Sequence, residues 1–73
     1  MTILELIKKL RTGKQIVVKR ELDGSEILLF WPFHYFEGSY LELHERKMIE
    51  ETEVSSFDFD LEDETLIIFV EHI

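Results

Sequence analysis

Asp23-Gly24 sits between two runs of apolar residues, and that placement constrains the fold more than any other feature of the chain. Both central residues of a type I′ turn need positive φ, and Asp-Gly accepts it readily. The dipeptide therefore predicts a β-hairpin with strands at 15–22 and 25–33. Such a turn sets Leu22 opposite Ser25, Arg20 opposite Ile27, Val18 opposite Leu29 and Ile16 opposite Trp31. Ile16, Val18, Ile27, Leu29 and Trp31 then share one face, in agreement with the period of two expected of a half-buried strand. The same register pairs Val17 with Phe30 and Lys19 with Leu28 on the other face. The second strand is thus apolar on both sides, as expected if it is central or has a second contact surface.

Before the hairpin, Ile3, Leu6, Ile7 and Leu10 recur at helical spacing and predict a helix over 2–12. Thr2 and Glu5 form a T-x-x-E capping box at its start. Lys8, Lys9 and Arg11 suit the negative end of the helix dipole, and Gly13 suits the position just past the last turn. After the hairpin, Pro32 cannot donate to a ladder and marks a bulge, an edge or the strand end. Glu37-Gly38 predicts a second turn, with 39–45 as a returning strand, and 46–53 is left open between helix and strand. Phe57, Phe59 and Leu61 alternate with Asp58, Asp60 and Glu62, the pattern of a strand with one buried and one acidic face. Residues 65–70 form a near-continuous apolar run, the mark of a central strand. The expected fold is α+β: an N-terminal helix packed on an antiparallel sheet of four or five strands, with residues 1–73 as a single domain.

Seventy-three residues bury only about 60–65% of their unfolded surface, so the stability margin is thin. The chain has no cysteine, which removes disulfides and thiolate metal sites and permits a cytoplasmic setting. No apolar run reaches the roughly 18 residues of a membrane span, so no membrane partner is expected. The net charge of −8 is unevenly spread. Residues 1–36 hold six Lys/Arg against four Asp/Glu, a net of +2; residues 37–73 hold two against twelve, a net of −10. Phosphate needs cations, so the second half argues against direct nucleic-acid binding and suits a basic protein surface. The same acids also serve solubility.

The densest acidic group is Asp58, Asp60, Glu62, Asp63 and Glu64. Its D-x-D opening suggests a calcium loop, but the sixth position is Asp63 where Gly is needed and the twelfth is Phe69 where Glu is needed. We therefore assign it no metal and no cofactor. Alternation in a strand would space Asp58, Asp60 and Glu62 about 6.5–7 Å apart, close to the phosphate repeat of one DNA strand. His34, His44 and His72 are dispersed and carry no metal-ligand spacing. Ser25, Ser39, Ser55 and Ser56 lie in no nucleophile motif, and Gly13, Gly24 and Gly38 are accounted for by a cap and turns. No catalytic residue is assigned, and a metal-dependent or hydrolytic enzyme is the remote alternative. Six of the nine aromatic residues fall within 30–40. Strand alternation cannot bury Phe33, Tyr35, Phe36 and Tyr40 in one small core together, so a patch there is a candidate interface, including a homodimer interface.

Met1, Ile3, Glu5, Leu6, Ile7, Lys8, Leu10 and Arg11, followed by the acidic second half, make the chain resemble small phage-encoded inhibitors of host proteins, some anti-CRISPR proteins among them. The resemblance covers the opening helix, about a sixth of the chain, and the distribution of charge. It implies that the carboxylates occupy a nucleic-acid site on a basic host protein, as a DNA mimic does. The function expected is that of a small acidic protein-binding module. The alternative is a self-associating structural protein that uses the aromatic patch.

Overall fold

The computed structural model describes residues 1–10, 14–38 and 40–71. Helix α1 spans Ile3–Leu10. Thr2 N–H donates to Glu5 Oε1 at 3.0 Å and Glu5 N–H donates to Thr2 Oγ1 at 3.2 Å, so the capping box forms as the sequence predicts. Ile3, Leu6 and Ile7 are buried, while Leu10 is exposed. The predicted helix end at 11–12, with Gly13 beyond it, lies outside the described residues.

Four strands follow, β1 (Gln15–Arg20), β2 (Glu26–Phe30), β3 (Ser56–Asp60) and β4 (Thr65–Val70), with α2 (Pro32–Phe36) and α3 (Leu43–Glu51) between the two hairpins. The sheet order is β2-β1-β4-β3. β1 pairs antiparallel with β2, and β3 antiparallel with β4, but the central pair, β1 and β4, is parallel. The sheet is therefore mixed rather than antiparallel throughout. Helices and sheet share one core of Ile3, Leu6, Ile7, Ile16, Val18, Leu28, Phe30, Ile49, Leu66, Ile68 and Val70.

The first hairpin exists, but its register differs by one residue from the one a two-residue turn dictates. Ile16 faces Phe30, Val17 faces Leu29, Val18 faces Leu28 and Lys19 faces Glu26, with an irregularity after Val18 that leaves Ile27 as the extra residue. The turn is longer than two residues. Arg20 N–H donates to Ser25 C=O at 2.9 Å, and Gly24 N–H to Arg20 C=O at 2.8 Å. Asp23 Oδ1 accepts from Ser25 N–H at 3.0 Å and from Ser25 Oγ–H at 2.7 Å. Gly24 alone in this turn takes a positive φ, +72°. The slip moves Leu28 and Phe30 into the core and leaves Leu29 and Trp31 exposed.

Pro32–Phe36 and Leu43–Glu51 are helical, where a second hairpin was expected to turn at Glu37-Gly38 and return over 39–45. Pro32 does end β2, and it then opens α2 at a position where a missing N–H costs nothing. Ser39, the expected start of the returning strand, lies outside the described residues. The open segment 46–53 belongs largely to α3, whose Ile49 is fully buried. Glu42 N–H donates to Glu45 Oε1 at 2.8 Å, half of a capping box. The chain start clamps the end of α3: Ile3 N–H donates to Thr52 C=O at 3.1 Å and Val54 N–H to Met1 C=O at 2.8 Å. Among the described residues no helix is long and apolar enough to cross a membrane.

Candidate partner-binding surfaces

Because α1 and α3 lie on one side of the sheet, nothing among the described residues covers the other. Its side chains follow from the register. One row runs Asp58–Ile67–Val17–Leu29, a second Ser56–Phe69–Lys19–Glu26 and a third Asp60–Thr65–Gln15. Val17, Ile67 and Phe69 are half-buried and Leu29 is 44% exposed. The open face is thus an apolar band with Lys19 inside it and carboxylates at the β3 end. A shallow groove of ≈ 390 Å³ crosses it, bounded by Lys19 on one side and by Asp60 and Asp63 on the other.

The five acids selected from the sequence all lie on the β3–β4 hairpin, in two arrangements. Asp58 and Asp60 project from β3 onto the open face. Glu62, Asp63 and Glu64 belong to the turn after Asp60. The strand ends before Glu62, so the evenly spaced three-carboxylate row does not form. Asp60 shapes that turn: its Oδ1 accepts from Glu62 N–H at 3.0 Å and Asp63 N–H at 3.3 Å. Glu64 takes a positive φ of 53°, and its carboxylate meets Lys14 Nζ at 2.9 Å. Asp58 Oδ1 accepts from Phe59 N–H at 2.8 Å.

The burial expected of Phe57, Phe59 and Leu61 is overturned. Phe57 and Phe59 face the helix side, opposite Ile68 and Leu66, yet they are 50% and 40% exposed. β3 is the edge strand and the helices do not reach over it. Leu61 is in the turn and is 82% exposed. Short length and alternating carboxylates are devices that protect edge strands, and they were the available signal that this strand lies at an edge rather than over the core.

The aromatic patch divides. Phe33, Phe36 and Tyr40 are exposed, Tyr40 with a φ of 70°. Tyr35 is half-buried and tied to α3: its hydroxyl donates to Glu50 Oε2 at 2.5 Å, and Arg46 lies 4.5 Å above its ring and donates to its carbonyl at 3.0 Å. The Glu50 hydrogen bond raises the Tyr35 pKa above its ordinary value. His34, read from the sequence only as one of three dispersed histidines, is the hub of this patch. Its ring lies 4.4 Å from Phe33, 5.2 Å from Tyr40 and 5.7 Å from Trp31. Its Nδ1 accepts from Trp31 N–H at 3.3 Å. His44 instead meets Glu42 at 3.4 Å.

Among the described residues no group of His, Asp and Glu is arranged to hold a metal ion. A second groove of ≈ 530 Å³, lined by Glu51, Glu53, Ser55 and Glu71 among others, is also acidic. Comparison with protein-family models, with curated proteins and with solved structures finds no match for this chain.

Proposed function

We propose that this chain is a protein-binding module whose acidic β3–β4 hairpin and adjoining open sheet face engage a basic protein. The observation that carries the reading is the uncovered face itself, where an apolar band runs directly into Asp58 and Asp60. Magnitudes show why both parts are needed. An exposed ion pair contributes about 0–1 kcal/mol, so five carboxylates alone supply at most roughly 5 kcal/mol, short of the ~8 kcal/mol of a micromolar complex. The apolar band supplies the remainder, and the carboxylates select a cationic partner and speed its encounter.

A nucleic-acid-binding protein of the cytoplasm is the partner class in the mimic version of this reading, with the carboxylates standing where phosphates would bind. That is the role implied by the resemblance to phage-encoded inhibitors. The test is capture of basic proteins by the intact chain and by a variant carrying Asp58→Asn, Asp60→Asn, Glu62→Gln, Asp63→Asn and Glu64→Gln. Asn at 60 keeps an acceptor for the turn. The wild type should retain its partner at about 0.05 M salt and release it near 0.5 M, where the Debye length falls to a few ångströms. Retention unchanged by salt or by the five substitutions refutes the proposal.

Self-association through Phe33, Phe36 and Tyr40 is the second reading, favoured by their exposures of 46%, 54% and 83%. Sedimentation equilibrium that finds only monomer at high concentration removes it.

A further inference from the structure

β3 ends the sheet, and the direction of its main-chain groups can be worked out from two hydrogen bonds at the end of β4. Val70 C=O accepts from Glu21 N–H at 2.8 Å, on the β1 side, while Phe69 C=O accepts from Ser55 N–H at 2.8 Å, on the β3 side. Main-chain groups of successive residues point to opposite sides of a strand. Thr65, Ile67 and Phe69 therefore bond towards β3, and their partners Asp60, Asp58 and Ser56 bond back towards β4. Phe57 and Phe59 are left with N–H and C=O groups aimed away from the sheet. The Asp58 carboxylate that meets Phe59 N–H at 2.8 Å agrees with this direction. No ladder partner lies beyond β3 among the described residues. The other edge is different: β2 carries the irregularity at Ile27 and runs straight into Pro32 and α2, both of which discourage pairing.

We propose that the β3 edge accepts a further antiparallel strand, contributed by an extended basic segment of the partner protein. This rests on the basic-partner reading above and adds how the partner docks. Phe57 exchanges main-chain hydrogen bonds with the incoming strand, and Phe59 offers its C=O and, once Asp58 Oδ1 turns to an incoming cation, its N–H. Its apolar side chains lie beside the two exposed phenylalanine rings on the helix side, and its Lys or Arg side chains lie beside Asp58 and Asp60 on the open face. The partner's signature is thus alternation of apolar and basic residues. A second copy of this chain does not suit the edge. Antiparallel pairing of two β3 strands through Phe57 and Phe59 sets Asp58 directly opposite Asp58, and like charges in that position repel, with −8 on each chain besides.

The experiment uses the intact chain and four labelled synthetic peptides of equal length. One alternates Lys and Val, one has the same composition with Lys in a block, and two are alternating peptides N-methylated either on every Val or on every Lys. In the docked arrangement the Val residues turn their N–H groups towards β3 and the Lys residues turn theirs away. Methylation on Val should therefore weaken binding about tenfold or more, while methylation on Lys should leave the affinity within a factor of about three. The block peptide should be weaker by about tenfold. Hydrogen exchange of the Phe57 amide should slow on binding the alternating peptide. Phe57→Pro, which removes an outward N–H without taking a bond from β4, should weaken binding similarly; the methylated peptides decide the matter on unaltered protein if that variant fails to fold. Equal, salt-sensitive affinity for all four peptides overturns edge docking and leaves the acidic-surface reading standing. Absence of binding to any of them at low salt overturns both.

Discussion

Leu28 and Leu29 are adjacent, chemically identical and on opposite faces of β2, so truncating each to alanine tests the hairpin register directly. Leu28 is 5% exposed and belongs to the core; Leu29 is 44% exposed and faces away from the helices. Removing the buried leucine loses about 2.4 kcal/mol of transfer free energy, at ~0.8 kcal/mol per methylene equivalent. A cavity term brings the cost of Leu28→Ala to about 3–5 kcal/mol. At Leu29 roughly half of the removed area is already in water and solvent fills the space, so the cost falls to about 1 kcal/mol or less. A domain of this length has about 4–11 kcal/mol in total, and each kcal/mol moves Tm by about 4–8 °C. Leu28→Ala should therefore lower Tm by about 12 °C or more, and Leu29→Ala by no more than about 8 °C. Urea and thermal unfolding followed by far-UV circular dichroism and by emission of Trp31, the single tryptophan, give both numbers. Equal losses, or a larger loss at Leu29, would refute the register and restore the one dictated by a two-residue turn.

Gly24 has open space where a Cβ would go but a φ of +72°, so Gly24→Ala should cost about 1 kcal/mol through backbone strain alone, read as a Tm shift. Asp60→Ala should destabilise by about 1 kcal/mol by freeing two turn N–H groups, while Asp60→Asn should be close to neutral in the same assay. Hydrogen bonds from Thr2 hold the Glu5 carboxyl below its ordinary value of 4.5, and those from Ser25 hold Asp23 below 3.8. Lower folded pKa values mean that this stabilisation is complete above the unfolded values and is lost as pH falls through the folded ones. Acid unfolding of Thr2→Ala should accordingly show a weaker dependence on pH below 4.5 than the wild type. Tyr35 behaves in the opposite sense: its contribution is present below 10.0 and lost as pH rises through its raised folded value. Glu50→Gln should shift the ionisation of Tyr35 to lower pH in an ultraviolet titration; an unchanged curve would contradict the hydrogen bond.

How much was legible depended on how local the signal was. The capping box of α1 needs only residues three apart, and Thr2 and Glu5 announce it. β3 and β4 were visible as an alternating stretch and an apolar run with an acidic break between them, while their antiparallel pairing came from the structure. The hairpin register was not legible, because residues 27–31 are apolar at every position and so satisfy either parity. Asp23-Gly24 then favoured the shorter turn, while the Asp23–Ser25 hydrogen bonds and the extra residue at Ile27 produced the longer one. α3 was ambiguous because its own apolar content is small; Ile49 is helical through its burial against α1 and the sheet. For the candidate surface, sequence alternation identified Asp58 and Asp60 as neighbours on a strand face. It misjudged Phe57 and Phe59, since exposure depends on how far the helices extend over the sheet.

The sequence by itself determined the existence of α1, the first hairpin, the strands β3 and β4, the termination of β2 at Pro32 and the concentration of negative charge after Glu37. All of these arise from caps, turns and periodicities within a few residues. Only the tertiary structure decided that β1 and β4 run parallel at the centre and that β3 ends at an edge. Those outcomes compare whole faces and distant segments: burying one helix-covered side of the sheet leaves the opposite side bare. The acidity is thereby located on the last hairpin, beside an uncovered apolar band and an unpaired strand edge.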